Sequence, residues 1–221
     1  MGCASHDIVL DFFAGSASTG QAIFENAVKK GINRNFILVQ LPETIDDKSA
    51  AYKAGYKLIS EIAIARLRKV IDQNNYKGED SVDLFKVQDL NLGFKIFRLK
   101  HSNFKLWRGD VIENGDDLTK QIDVFENPVK AGTVEENILY ELLLKSGYEL
   151  TAIIEKRDDI YFVNNEFALA LTEIDDATIK EILALKPKKC LILDKLFNNN
   201  DELKTNTVLQ MRDAGIEFKT V

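Results

Sequence analysis

The stretch DIVLDFFAGSASTG, residues 7–20, decides how the front of the chain folds. Ile8 to Leu10 is short, apolar and β-branched at its start, which reads as a buried strand, and an acid, Asp11, stands at its end. Gly15, Ser16, Ala17, Ser18, Thr19 and Gly20 then turn the apolar run into a loop of small residues. A helix is expected from about Ser18 to Lys30, opened by Ser18 or Thr19 as a cap and closed by Gly31. Phe36 to Leu41 is the next apolar run. Strand, glycine-containing turn, helix and strand in this order make a βαβ unit, for which a right-handed crossover is the rule.

Pro42 with Glu43, Asp46 and Asp47 marks a loop. Ile59, Ile62, Ala63, Leu67, Val70 and Ile71 then recur at helical spacing, so the sequence predicts a long helix over 54–73 that packs on the sheet. DQNNYKGEDSVD, residues 72–83, is polar and contains glycine, which places a boundary there, with one domain over 1–77 and a second over 84–221. In the second, 94–99 and 103–107 read as strands, 116–126 and 133–146 as helices, and 150–155, 160–164 and 167–171 as three short strands. The tail reads as a strand in KKCLILD, a helix in DELKTNTVLQMRDAG and a strand in IEFKTV. The fold class expected is therefore α/β: an incomplete Rossmann-like subdomain followed by a mixed α/β domain.

The chain has 221 residues, 45% of them apolar, and a net charge of -6, which disfavours a generally basic nucleic-acid surface. The charge is uneven: residues 1–77 carry ten basic against eight acidic side chains, and the remainder nineteen against twenty-seven. No apolar run approaches the roughly 18 to 20 residues that span a bilayer, so no membrane partner and a cytoplasmic location are expected. Cys3 and Cys190 lie far apart, and His6 and His101 add no cluster, so neither a disulfide framework nor a metal site is expected.

Two cofactor classes use a strand, a glycine loop and a helix in this way. A dinucleotide needs close backbone approach to an anionic pyrophosphate, usually through G-x-G-x-x-G, and an acid for the ribose about 20 residues later. Here Ala17 replaces the second glycine, Asp11 adds negative charge, and the second apolar run ends at neutral Gln40. S-adenosylmethionine has no phosphate and carries a sulfonium and an ammonium, so an acid at the strand end favours it. On spacing alone the turn also suits packing with no ligand at all.

DFFAGSASTGQA resembles the cofactor motif of β-class DNA amino-methyltransferases, commonly written D-x-F-A-G-S-G-T-T. NFILVQLPE and GYKLISEIAIARLRKVI resemble the segments that follow it in the methylation (Mod) subunit of type III restriction-modification systems, and the likeness continues through GFKIFRLKHSNFKLW and LLLKSGYELT to the C-terminal tail. The resemblance implies S-adenosylmethionine as cofactor, with Asp11, Phe13, Ala14, Gly15, Ser16 and Thr19 forming its loop and Gln40 at the ribose-facing position. Ala17 stands where the wider class has glycine. Gln40 stands where it has an acid, and can hydrogen-bond but cannot supply charge.

The resemblance further implies methyl transfer to adenine N6 in DNA. The target base must leave the stack, and a D/N-P-P-Y segment receives it. Pro42, Pro128 and Pro187 are not adjacent to one another, so that motif is absent and no catalytic residue is assigned. The chain is accordingly expected to be the C-terminal portion of such an enzyme, inactive alone, whose intact parent would bind DNA, pair with a restriction (Res) subunit and form a homodimer. The alternatives are a subunit-assembly module over 84–221 and a dinucleotide-dependent oxidoreductase.

Other conspicuous residues have plainer readings. Trp107 is expected to be a strand-end core aromatic beside Phe104, and Arg66, Arg68 and Lys69 a solvated helix face. Asp116-Asp117 and Asp175-Asp176 precede helical patterns and suit capping. Asn127-Pro128 reads as a helix-ending turn, Cys190 as a core thiol, and Asp194 as the end of a strand with no ligand assigned.

Overall fold

The computed structural model describes residues 7–80, 92–125, 127–198 and 200–221, the side chains of 74–80 excepted. The chain divides into two compact units, Met1–Ile96 and Phe97–Val221. Both mix helices with sheet, so the fold is α/β.

In the first unit β1 (Ile8–Asp11) and β2 (Asn35–Leu38) pair in parallel, Ile8 opposite Asn35 and Asp11 opposite Leu38. Between them runs α1 (Ser18–Lys30), with the bounds its periodicity predicts. Its buried residues Gly20, Ile23, Phe24 and Ala27 follow the three-and-four spacing of one helical face. Gly31 ends it with φ +65° and an N–H donated to the Ala27 carbonyl, while Lys29 and Lys30 lie in the last turn, where the helix dipole favours cations.

The expected helix over 54–73 is two helices. A short α2 (Ala50–Lys53), capped by Ser49, stops before Gly55 at φ +99°, and α3 runs from Ile59 to Asp80. The Glu61 carboxylate accepts from the N–H groups of Lys57 and Leu58 and so organises the entry to α3. The polar segment expected to break the chain at 72 stays helical to Asp80, because polar residue types do not by themselves oppose a helix already anchored by Leu67 and Val70. Residues 81–83 of that segment lie outside the described residues.

The core of this unit joins Ala17, Phe24, Leu67 and Val70, with Phe36, Leu38, Ala63, Ile71, Leu92 and Phe94 against it. Phe36 and Leu38 bring one face of the strand pair to this core. On the other face, among the described residues, Ile8, Leu10 and Ile37 are left 59%, 49% and 53% exposed. β1 is thus not the buried strand its composition suggests, since alternate side chains point to opposite faces and only one face is covered.

The second unit is built on five strands in the order β3 (Ile154–Arg157), β4 (Ile160–Val163), β5 (Phe167–Ala170), β6 (Lys189–Ile192) and β7 (Glu217–Thr220). β3 to β5 form an antiparallel meander, and β5 to β7 are parallel. The parallel strands are linked by α6 (Asp176–Leu185) and α7 (Asp201–Asp213), as parallel pairing requires. Strand residues alternate between two cores. Val163, Phe167, Leu169 and Leu191 pack with Ile138, Leu139, Leu142 and Leu143 of α5 (Glu135–Lys145). Ile160, Phe162, Ala168, Ala170, Cys190 and Ile192 pack with α6 and α7. β5, buried along its whole length, is the middle of this three-layer arrangement.

The strands expected over 94–99 and 103–107 do not form. Residues 92–100 have no regular structure, and 103–107 make one isolated bridge, Phe104 to Val129. Trp107 is therefore no core aromatic: it is half exposed and meets the Phe125 ring edge-on, 5.2 Å between centroids. Phe125 ends α4 (Gly115–Phe125), none of whose residues is buried.

Candidate functional site

The loop after β1 is held by a short series of hydrogen bonds that continue the β1–β2 pairing beyond its last ladder rung. The Val39 N–H donates to the Asp11 carbonyl (2.8 Å), and the Ala14 N–H donates to the Val39 carbonyl (3.0 Å). One residue further on, the Gly15 N–H donates to Gln40 Oε1 at 2.7 Å. Gly15 and Ala17 both have positive φ, +52° and +61°. For Gly15 this is free of steric cost. Ala17, which replaces a glycine of the motif, takes the same left-handed region with a completely buried methyl group.

Asp11 uses both carboxylate oxygens. Oδ2 accepts from Thr19 Oγ1 at 2.6 Å, and Oδ1 accepts from the Phe13 N–H at 3.1 Å. The expectation that Ser18 or Thr19 caps α1 does not hold. Ala17 is the capping residue and offers no side-chain bond, while the Thr19 hydroxyl turns to Asp11. The structure thus brings Asp11, Phe13, Ala14, Gly15, Thr19 and Gln40 into one small constellation, with Ser16 half-buried within the same loop. Phe13 is 81% exposed beside it, a bare aromatic face next to a fixed carboxylate.

This set suits a ligand that is cationic at one end and aromatic at the other. The acid complements an ammonium or sulfonium, and Phe13 offers a surface for a flat ring. The donor set is a poorer match to a pyrophosphate, since Asp11 stands at the loop and Gly20 is not shaped for phosphate approach. A Cβ at Gly20 would lie 2.9 Å from the Leu38 and Leu67 methyl groups, so the glycine serves helix packing. Helical spacing of positions 20, 23, 24 and 27 is the signal that marks it as a packing residue. The Gln40 to Gly15 bond has no sequence signal, because nothing in the spacing relates residues 25 apart.

Arg66 is not part of a solvated face. Its Nη1 donates to Gln21 Oε1 at 2.9 Å, tying α3 to α1. Arg68 and Lys69 are exposed as expected. In the second unit, burial pushes the Cys190 thiol up to about 12, which makes it an inert core group. Glu141 behaves in the opposite sense. Burial is the largest single influence and opposes its ionisation, yet hydrogen bonds from Lys145, Ser102 and Asn103 together outweigh it and hold the carboxyl at about 2. Asp194 is paired with Lys204 at 2.6 Å. Asp175 caps α6 through the Thr178 N–H, whereas Asp116 and Asp117 lie inside the first turn of α4, where Asn114 accepts the Asp117 N–H. Among the described residues no group of three or more His, Cys, Asp or Glu is placed to hold a metal ion, and no helix is long and apolar enough to cross a membrane.

No protein-family profile matches the chain. It is similar to the Mod subunit of the type III restriction-modification enzyme EcoP15I of Escherichia coli, 39% identical over 93 residues, which are 42% of this chain and 14% of that protein. It is 35% identical over 88 residues to the Mod subunit of the type III enzyme EcoPI of Escherichia phage P1, covering 39% of this chain and 14% of the relative. It is also 40% identical over 65 residues to the type II methyltransferase M.KpnI of Klebsiella pneumoniae, covering 29% and 16%. The chain is therefore a relative of type III Mod subunits over about two fifths of its length, and the similarity spans about one seventh of theirs.

Proposed function

We propose that this chain is the C-terminal portion of a type III, adenine-specific DNA methyltransferase. The observation that carries the reading is its likeness, at 35–39% identity, to Mod subunits. In this reading 1–77 is part of a Rossmann-like cofactor subdomain and 84–221 a C-terminal α/β domain. Asp11, Phe13, Ala14, Gly15, Ser16, Thr19 and Gln40 would hold S-adenosylmethionine, which when bound supplies the methyl group from its sulfonium.

The chain's own residues would bind and orient. Asp11, kept in place by Thr19 and by the Phe13 amide, presents negative charge to the cationic end of the ligand. Phe13 offers its ring, and the turn at Gly15 lets the backbone approach closely. No D/N-P-P-Y motif occurs in the sequence to receive an adenine amine, so the chain alone is expected to be inactive. The bare apolar face of β1 and β2 supports the same reading. Parallel sheets are ordinarily covered on both faces, and here helices cover one. The intact protein would act on DNA in the cytoplasm, as a homodimer with a Res subunit.

Calorimetric titration with S-adenosylmethionine tests the cofactor assignment, with a nicotinamide dinucleotide and the Asp11→Ala variant as comparators. Binding of the methyl donor, weakened at least tenfold by Asp11→Ala, is expected; that factor corresponds to about 1.4 kcal/mol of lost contact. Binding of the dinucleotide instead, or of neither ligand, would refute the reading of 1–77 as a cofactor-binding piece in its own right.

A further inference from the structure

We infer that Gln40 is a positioning residue that fixes the loop through the Gly15 amide, and that an adenosyl ribose is read by other groups. The inference rests on the cofactor reading above and changes the role given there to one residue.

After the last ladder pair, Asp11 with Leu38, the Val39 N–H and carbonyl still pair with Asp11 and Ala14. At Gly15 the chain swings into the left-handed region, φ +52°, and its N–H leaves the line of the ladder. The Gln40 side chain takes the acceptor's place at 2.7 Å. Because an N–H needs an oxygen, the amide group can sit in only one of its two orientations, with its NH2 pointing the other way. There it donates to the Leu41 carbonyl at 3.2 Å.

Both ends of the amide are thereby engaged within the protein. Oε1 keeps a second lone pair and Nε2 a second hydrogen, but turning the amide to aim it elsewhere breaks both bonds and leaves Gly15 without its acceptor. An acid at this position would differ in kind. Its two equivalent oxygens can serve a loop amide with one and a sugar hydroxyl with the other, whereas the single acceptor atom of Gln40 is already held by Gly15 and has one lone pair left. The engagement of the neutral residue that the structure shows is therefore the fixed turn, and that turn leads into Ser16 and the start of α1.

The test uses the full chain, isotopically labelled, with Gln40→Leu, which cannot accept a hydrogen bond, and Gln40→Glu, which can. Hydrogen exchange of the Gly15 amide is expected to speed at least tenfold in Gln40→Leu and to return toward the parent rate in Gln40→Glu, while amides within α1 stay protected in all three. Each protein is then titrated with S-adenosylhomocysteine and with its 2′-deoxy analogue. Gln40→Leu should weaken both by the same factor, leaving their ratio unchanged. Unaltered exchange at Gly15 in Gln40→Leu would overturn the positioning role. Loss of the ratio with undiminished binding of the deoxy analogue would make Gln40 the ribose reader and overturn the inference too. Absence of binding in every protein, the parent included, would count against the cofactor reading alone, and Gly15 exchange would still decide what Gln40 does.

Discussion

Replacing Glu141 by Gln should destabilise the second unit in a pH-dependent way whose shape follows from its contacts. Glu141 lies on α5 with its side chain 14% exposed, and it gathers Ser102 Oγ, the Asn103 N–H and Asn103 Nδ2 besides Lys145. These bonds fasten the segment around 102–103 to the helix beneath it. The carboxyl falls from an ordinary 4.5 to about 2 on folding. At about 1.4 kcal/mol per unit this corresponds to roughly 3 kcal/mol of stability, an upper figure because Gln retains one acceptor. A group whose folded value is depressed contributes fully above its unfolded value and loses that contribution as pH falls toward the folded one. The difference between parent and Glu141→Gln should therefore be about 2–3 kcal/mol at pH 7, begin to shrink near pH 4.5 and nearly vanish by about pH 2. Trp107, the single tryptophan, lies in the same unit, so urea unfolding followed by its fluorescence reads this unit rather than the first. A loss of the same size at every pH, or one below ~0.5 kcal/mol at pH 7, would refute the account of Glu141 as an ionised anchor.

Gly20→Ala should lower the melting temperature of the first unit. The new methyl, 2.9 Å from Leu38 and Leu67, costs about 1–3 kcal/mol of overpacking, against the ~1 kcal/mol that alanine gains within a helix; a rise in the melting temperature by circular dichroism would show that the leucines yield freely. Tyr161→Phe should raise the Glu135 carboxyl toward its ordinary value, because the tyrosine hydroxyl is the main influence holding it down, ahead of Lys156; titration of the Glu135 side chain by NMR that is unchanged in the variant would contradict this. In a Cys3→Ser background, Cys190 should resist iodoacetamide at pH 8 until the protein is unfolded, and labelling at the rate of an exposed thiol would contradict its burial. Asp175→Ala should cost about 1 kcal/mol through the lost cap on α6, read as a lower urea midpoint.

What could be read in advance was what short-range physics decides. The bounds of α1, with Gly31 at its end, and the strands around 160–163, 167–170 and 189–192 are legible because apolar spacing and turn residues act over a few positions. The failures are of another kind. Residues 94–99 are rich in the apolar and aromatic types that favour strands, but a strand needs a partner, and pairing is decided by distant parts of the chain. The exposure of Ile8 and Leu10 likewise depends on what covers a sheet and not on what the strand contains. In the loop, the residue types at Asp11, Gly15 and Thr19 were legible, while the bond from Gly15 to Gln40 and the partnership of Thr19 with Asp11 appear only once two strands are laid side by side.

The uncovered side of the first strand pair also governs how the chain behaves as a material. Ile8, Leu10 and Ile37 form a sticky plate, and in a two-stranded sheet each strand also offers an outer edge to any extended neighbour. Concentrated solutions should cloud or self-associate through this plate before either unit melts. Lysine at Ile8 or Ile37 touches none of the packed interior, so it would improve solubility while leaving thermal unfolding nearly unchanged, and it would give a cleanly behaved sample in which the loop at Asp11 is still intact.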